Sequence, residues 1–135
     1  MFFLHTDVII AVMNRRDEAL DARIHLEIAS GSYLAVPAPV LFELRYGAEK
    51  SPHPARNHAR IDDFLTAIAE IVDFDKDDAG EASEIRSSLE AGGVFLGPYD
   101  ILIAAQARRR GATLVTLNRR EFERVSRLTA TDWRS

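Results

Sequence analysis

The chain has 135 residues, 47% of them hydrophobic and 28% charged, enough to bury one core without covalent staples. It has no cysteine, which excludes a disulfide scaffold and thiolate metal sites and suits a cytoplasmic protein in a reducing compartment. A formal charge of −4 excludes attraction of a polyanion by the molecule as a whole, so a local basic patch or a metal ion would have to supply it.

Phe2-Phe3-Leu4 breaks into His5-Thr6-Asp7 and then into an apolar segment over 8–13. That pattern predicts a buried parallel strand feeding a helix. Ligands gather at the carboxyl ends of such strands, so His5, Thr6 and Asp7 stand where a site is built. Asn14-Arg15-Arg16-Asp17 is a break. Leu20, Ile24 and Ile28 recur at helical spacing over 18–29, before a Ser30-Gly31-Ser32 stop. A second strand over 33–36 is closed by Pro37, and Pro39 opens a helix that runs through Gly47. A loop at 51–54 leads to an amphipathic helix over 55–70 with Ile61, Phe64, Leu65 and Ile68 on one face. The third strand is 71–74, with Asp75 capping a charged helix that ends at Gly92-Gly93. Gly97-Pro98-Tyr99-Asp100 opens a helix apolar nearly all round, stopped by Arg108-Arg109-Arg110-Gly111. A fourth strand over 113–116, a helical turn over 118–123 and a fifth strand over 127–129 complete the chain. Strands alternating with helices predict a parallel sheet covered on both faces, one α/β domain over residues 1–135. No apolar run approaches the ~18 residues of a membrane span, and no basic segment precedes a signal-like one.

Two helical carboxylates stand out. The one-turn neighbours of Glu43 are Pro39, Val40, Tyr46 and Gly47, an apolar face on which a carboxylate must find a partner. An ion pair with Arg45 or a more distant arginine is one answer. Asp100 has Leu96, Gly97, Ile103 and Ala104 one turn away. An acid just after Pro98 is ordinary helix-start chemistry, but this one shares a face with Ile103. With Asp7 brought to the same place, the carboxylates cannot all ionise unless a cation sits between them. Oxygen ligands without cysteine favour magnesium or manganese. Magnesium completes its shell with substrate phosphates, so a negatively charged chain can still grip a polyanion, and the chemistry indicated is phosphodiester hydrolysis by metal-activated water.

The same residues resemble the PIN domain ribonucleases, in particular the VapC-type toxins of bacterial toxin–antitoxin pairs. Leu4-His5-Thr6-Asp7 is similar to the family's opening strand with Asp-Thr-Asn. Leu41-Phe42-Glu43-Leu44-Arg45-Tyr46-Gly47 resembles its acid-bearing helix, and Gly97-Pro98-Tyr99-Asp100-Ile101-Leu102-Ile103-Ala104-Ala105 its Gly-Pro-x-Asp helix, the most specific piece. Thr113 to Phe122 resembles its Val-Thr-x-Asn-x-x-x-Phe block, and the likeness runs nearly end to end. It implies a three-layer α/β/α domain with a central, mostly parallel five-stranded sheet. It also implies a homodimer, a cognate VapB-type antitoxin covering the site, and magnesium-dependent cleavage of RNA, with manganese as the alternative ion. By position, the metal ligands fall on His5, Glu43 and Asp100. Thr6, Thr116 and Asn118 are supporting polar residues, Asp7 is an added catalytic acid where the family usually has asparagine, and Glu121 is a possible fourth acid. His5 is the departure: imidazole is a poor ligand for magnesium and supplies no negative charge. A weakened natural paralogue, a site rebuilt around Asp7 and a detoxified variant all fit, and cleavage weaker than that of a His5→Asp form is expected.

Arg119 and Arg120 lie nearest the expected site edge and are the candidate RNA-phosphate contacts, with Arg124 and Arg127 beyond them. Arg108, Arg109 and Arg110 are read as neutralising a helix C-terminus rather than binding RNA. His25, His53 and His58 have no metal-ligand spacing. Nucleophile-elbow, phosphate-loop and dinucleotide motifs are absent from the sequence. Two rival functions remain: a non-catalytic PIN-type protein acting through antitoxin binding and co-repression, and a phosphoacceptor receiver domain. The receiver needs a lysine after the last strand, but the two lysines are Lys50 and Lys76.

Overall fold

Phe3, Leu4, Ala35, Val36, Leu114 and Val115 have no exposed surface at all, which a strand achieves only when layers cover both faces of its sheet. The computed structural model describes residues 1–134; Ser135, within the domain expected over 1–135, lies outside the described residues. Its strands are β1 (Phe2–Leu4), β2 (Leu34–Pro37), β3 (Glu70–Val72), β4 (Thr113–Val115) and β5 (Thr129–Thr131). They form one sheet of order β3-β2-β1-β4-β5, and every pairing is parallel. Phe3 lies opposite both Ala35 and Leu114, and Leu4 opposite Val115. The three-layer α/β/α expectation is borne out.

The helices are α1 (Thr6–Met13), α2 (Glu18–Ala29), α3 (Ala38–Glu49), α4 (Pro54–Ile68), α5 (Lys76–Ala91), α6 (Pro98–Arg109) and α7 (Arg119–Phe122). Local chemistry sets their ends. The Asp17 carboxylate accepts from the Leu20 amide at the start of α2. Asp75 and Asp78 exchange side-chain and backbone hydrogen bonds in a capping box that opens α5. Pro98 stands at the first turn of α6, and Gly111 follows that helix at φ +63°, where a β-carbon would be strained.

Order of connection creates the crevice. The chain leaves β1 for β2 and β3 on one side, then crosses back to β4 and β5 on the other. The switch point lies between the carboxyl ends of β1 and β4, where an open parallel sheet receives ligands.

Several expected boundaries shift. The first helix begins at Thr6, not residue 8, so Asp7 belongs to its first turn rather than to a strand end. The helix expected over 55–70 stops at Ile68, and the third strand occupies Glu70–Val72 rather than 71–74. β3 is an edge strand with Glu70 and Ile71 exposed, so it lacks the apolar signature of a buried one. The fifth strand begins at Thr129, because Arg127 has φ +62° and cannot belong to a strand.

Candidate metal centre

His5 follows β1 and caps α1 through its backbone: its amide donates to the Val115 carbonyl, and its own carbonyl accepts from the Val8 and Ile9 amides. This grip fixes the ring, which is only 5% exposed. Nε2 lies 3.0 Å from Asp100 Oδ1. Nδ1 lies 3.0 Å from Thr116 Oγ1 and 3.2 Å from Asp7 Oδ1. The edge of Phe122, fully buried, packs on the imidazole with ring centroids 5.1 Å apart.

Glu43, on α3, is oriented by the Thr6 hydroxyl, which donates to Oε1 at 2.8 Å. Asp100 reaches in from the first turn of α6. His5, Glu43 and Asp100 each offer a ligand atom within 4.8 Å of the others, a set that could hold a metal ion. One imidazole nitrogen and two carboxylates balance a divalent cation and suit a borderline ion better than a hard one.

Asp7 stands on the other side of the ring. It accepts from the Leu117 amide at 3.2 Å and from the Thr116 hydroxyl at 3.3 Å. Thr116 in turn accepts from the Asn118 amide at 3.0 Å. The expectation that Asp7 would gather with Glu43 and Asp100 is therefore corrected: leaving the first turn of a helix, its carboxylate turns to the end of β4 and backs the imidazole instead. Asn118 contributes its main chain to this network, and Thr116 its hydroxyl.

Electrostatics bind the group together. Burial disfavours the charged imidazole, but the hydrogen bonds and charges of Asp100 and Asp7 outweigh it and raise the His5 pKa to about 9. Burial likewise pushes the Asp7 carboxyl up, and the His5 hydrogen bond and charge, with the Leu117 and Val8 amides, bring it below its ordinary value. At neutral pH the protonated ring donates from both nitrogens.

The alternatives weighed for Glu43 and Asp100 resolve. Arg45 turns away to Asp62 and His58, so it is not the partner of Glu43. Asp100 does occupy a helix start, but its carboxylate points at His5. Glu121 pairs with Arg124 and stands outside the cluster. Arg119 pairs with Glu123, while Arg120 is exposed at the start of α7. Arg108, Arg109 and Arg110 are not mainly helix-end neutralisers. Arg108 bonds Glu81 and Glu84, and Arg109 and Arg110 converge on buried Asp78, tying α6 to α5; Arg110 alone of the three bonds a carbonyl of its own helix, that of Gln106. The Leu117 amide and the Phe122 ring edge have no signal in sequence, because the first is a main-chain group and the second reads as ordinary core.

A five-stranded parallel sheet with nitrogen and oxygen groups gathered at its switch point defines the class: an α/β domain with a cluster that could hold a metal ion. The chain belongs to the PIN domain family, whose model matches residues 2–128. Relatives within it are VapC proteins, as the resemblance implied. The tRNA(fMet)-specific endonuclease VapC of Shigella flexneri is 38% identical over 132 residues, covering 98% of this chain and 97% of that one. Ribonuclease VapC2 of Haemophilus influenzae is 38% identical with the same coverage. Among solved structures, VapBC2 from Rickettsia felis bound to a promoter DNA fragment matches with a TM-score of 0.89 and 33% identity over 96% of each chain. DNA-bound VapBC from Salmonella typhimurium matches at 0.89 and 36%, covering 98% of this chain and 97% of that one. No helix among the described residues is long and apolar enough to cross a membrane.

Proposed function

We propose that the chain is a cytoplasmic, divalent-metal-dependent endoribonuclease toxin, a single PIN-like domain that hydrolyses RNA phosphodiester bonds with magnesium or manganese, and that His5 weakens this activity. The observation that carries the reading is the convergence of His5, Glu43 and Asp100 within 4.8 Å at the sheet's switch point. Relatives named as VapC endonuclease and ribonuclease, matched over almost their whole length, support it. The solved VapBC complexes support a VapB-type antitoxin partner and a homodimer.

Glu43, Asp100 and His5 would hold the ion. The chemistry it supplies when bound is neutralisation of phosphodiester oxygens and a lower pKa for a water. Thr6 keeps the Glu43 carboxylate aimed. Thr116, Asp7 and the amides of Leu117 and Asn118 hold the imidazole from behind. Arg119 and Arg120, in the short helix after β4, are the residues assigned to RNA phosphates in this reading. His5 weakens the site in two ways. It removes a carboxylate, and its Nε2 lone pair is free only after the ring gives up a proton and its bond to Asp100.

Cleavage of RNA by purified, antitoxin-free protein tests the reading. His5→Asp should raise magnesium-supported cleavage at least tenfold, and Glu43→Gln or Asp100→Asn in that background should lower it by about 10²-fold or more. Equal cleavage with His5 and with Asp at this position would sink the weakening. One observation favours a second reading, a catalytically silent binding protein acting through its antitoxin: His5 already supplies a cation between Asp7 and Asp100. That reading prevails if neither magnesium nor manganese supports cleavage by the His5 chain while the antitoxin still binds.

A further inference from the structure

We infer that His5, backed by Asp7, makes this a nitrogen-ligated centre selective for a transition ion that accepts imidazole beside carboxylate, manganese or zinc, over magnesium. The inference rests on the reading of the centre as a metal site, not on any cleavage step. Three observations carry it.

The first is what stands behind the ring. A histidine that ligates a metal through one nitrogen characteristically donates the other N–H to a carboxylate, which fixes the tautomer and aims the lone pair. Asp7 Oδ1 lies 3.2 Å from Nδ1, and Nε2 lies 3.0 Å from Asp100 Oδ1, one of the two acids clustered with the ring.

The second is rigidity. Asp7 is itself held by the Leu117 amide and the Thr116 hydroxyl, and the imidazole is pinned by Thr116 and the Phe122 edge. A ring held on every side presents Nε2 at one place, the preorganisation a ligand requires.

The third is donor chemistry. Magnesium demands hard oxygens and binds imidazole poorly, whereas manganese and zinc accept imidazole together with carboxylate. Asp7 cannot offset the change by joining the set as an oxygen ligand, because its carboxylate is engaged on the far side of the ring. The pair His5–Asp7 thus acts as one unit, a ligand and its positioning residue.

The test uses the full chain with MnCl₂, ZnCl₂ or MgCl₂ alone and no RNA. Manganese binding is followed by the loss of free-ion electron paramagnetic resonance signal, and its ligands by pulsed measurement of nitrogen coupling. The His5 chain should bind manganese with imidazole-nitrogen coupling, and His5→Asp should abolish that coupling and lower the manganese-over-magnesium preference at least tenfold. Asp7→Asn, checked by circular dichroism to be folded, should weaken manganese binding about 10–100-fold and serves as the independent arm should His5→Asp fail to fold. Manganese bound without nitrogen coupling, an unchanged ion preference in His5→Asp, Asp7→Asn binding like the parent, or binding of neither manganese nor zinc would each overturn the inference. Nitrogen-coupled manganese without RNA cleavage would leave it standing and overturn the ribonuclease reading instead.

Discussion

A histidine clasped by two acids acts as a fixed positive charge until its proton is removed. In metal-free protein kept in chelator, the His5 ring should titrate by NMR near 9 rather than near its ordinary 6.5. Because the folded value is raised, the stability it contributes is fully present below about pH 6.5 and is lost as pH rises through 9. Denaturant unfolding in chelator should show a fall on the order of 3 kcal/mol between about pH 6 and about pH 10, and His5→Gln should not share it. Not every residue of the centre was equally legible. Glu43 and Asp100 announced themselves because a carboxylate among apolar one-turn neighbours has to be explained. Asp7 was visible as an acid but not in its role. The His5 side chain makes no cap hydrogen bond, so nothing in the sequence marks a helix beginning at Thr6, and that early start turns Asp7 toward Leu117.

Among the elements, α5 and α6 are joined by charge as well as by packing. Asp78 has no exposed surface and receives Arg109 and Arg110 at 2.7 and 2.8 Å in addition to its capping bond to the Asp75 amide. Burial raises its pKa, but the Arg110 hydrogen bond, the Asp75 amide and Arg109 override that and hold it at about 2. A depressed folded value stabilises fully above the unfolded value of about 3.9 and is lost as pH falls through 2. Asp78→Ala should therefore cost about 2–3 kcal/mol at pH 7, since it removes the buried anion on which Arg109 and Arg110 converge, and the difference from the parent should shrink as acid unfolding is followed toward pH 2. The arginine triplet was legible as a helix ending; its partners were not, because α5 meets α6 in space rather than in sequence. The edge strands were misplaced for a related reason. β3 is too exposed to show an apolar run, and the left-handed turn at Arg127 falls on a residue that gives no warning of one.

For the molecule as a whole, a net charge of −4 leaves RNA affinity to a few contacts. If Arg119 and Arg120 are the main phosphate partners, affinity measured against salt should fall with a logarithmic slope no steeper than about −2, and Arg120→Ala should flatten it by about 0.7. A slope near −5 would mean a basic surface elsewhere. The parallel sheet was legible from alternating apolar runs and helices. Its strand order was not, because β2 and β4 are equally plausible companions for β1 until three-dimensional packing seats both beside it. That seating has a consequence in time. His5 meets Thr116 across a sequence separation of 111 residues, so the first strand of the chain cannot acquire its central neighbour until nearly all of the polypeptide has been synthesised. At about 5–20 residues per second, a nascent chain spends several seconds or longer with Asp7 and Thr116 apart and the imidazole unaimed. By topology alone, the centre thus comes into being only near the end of translation.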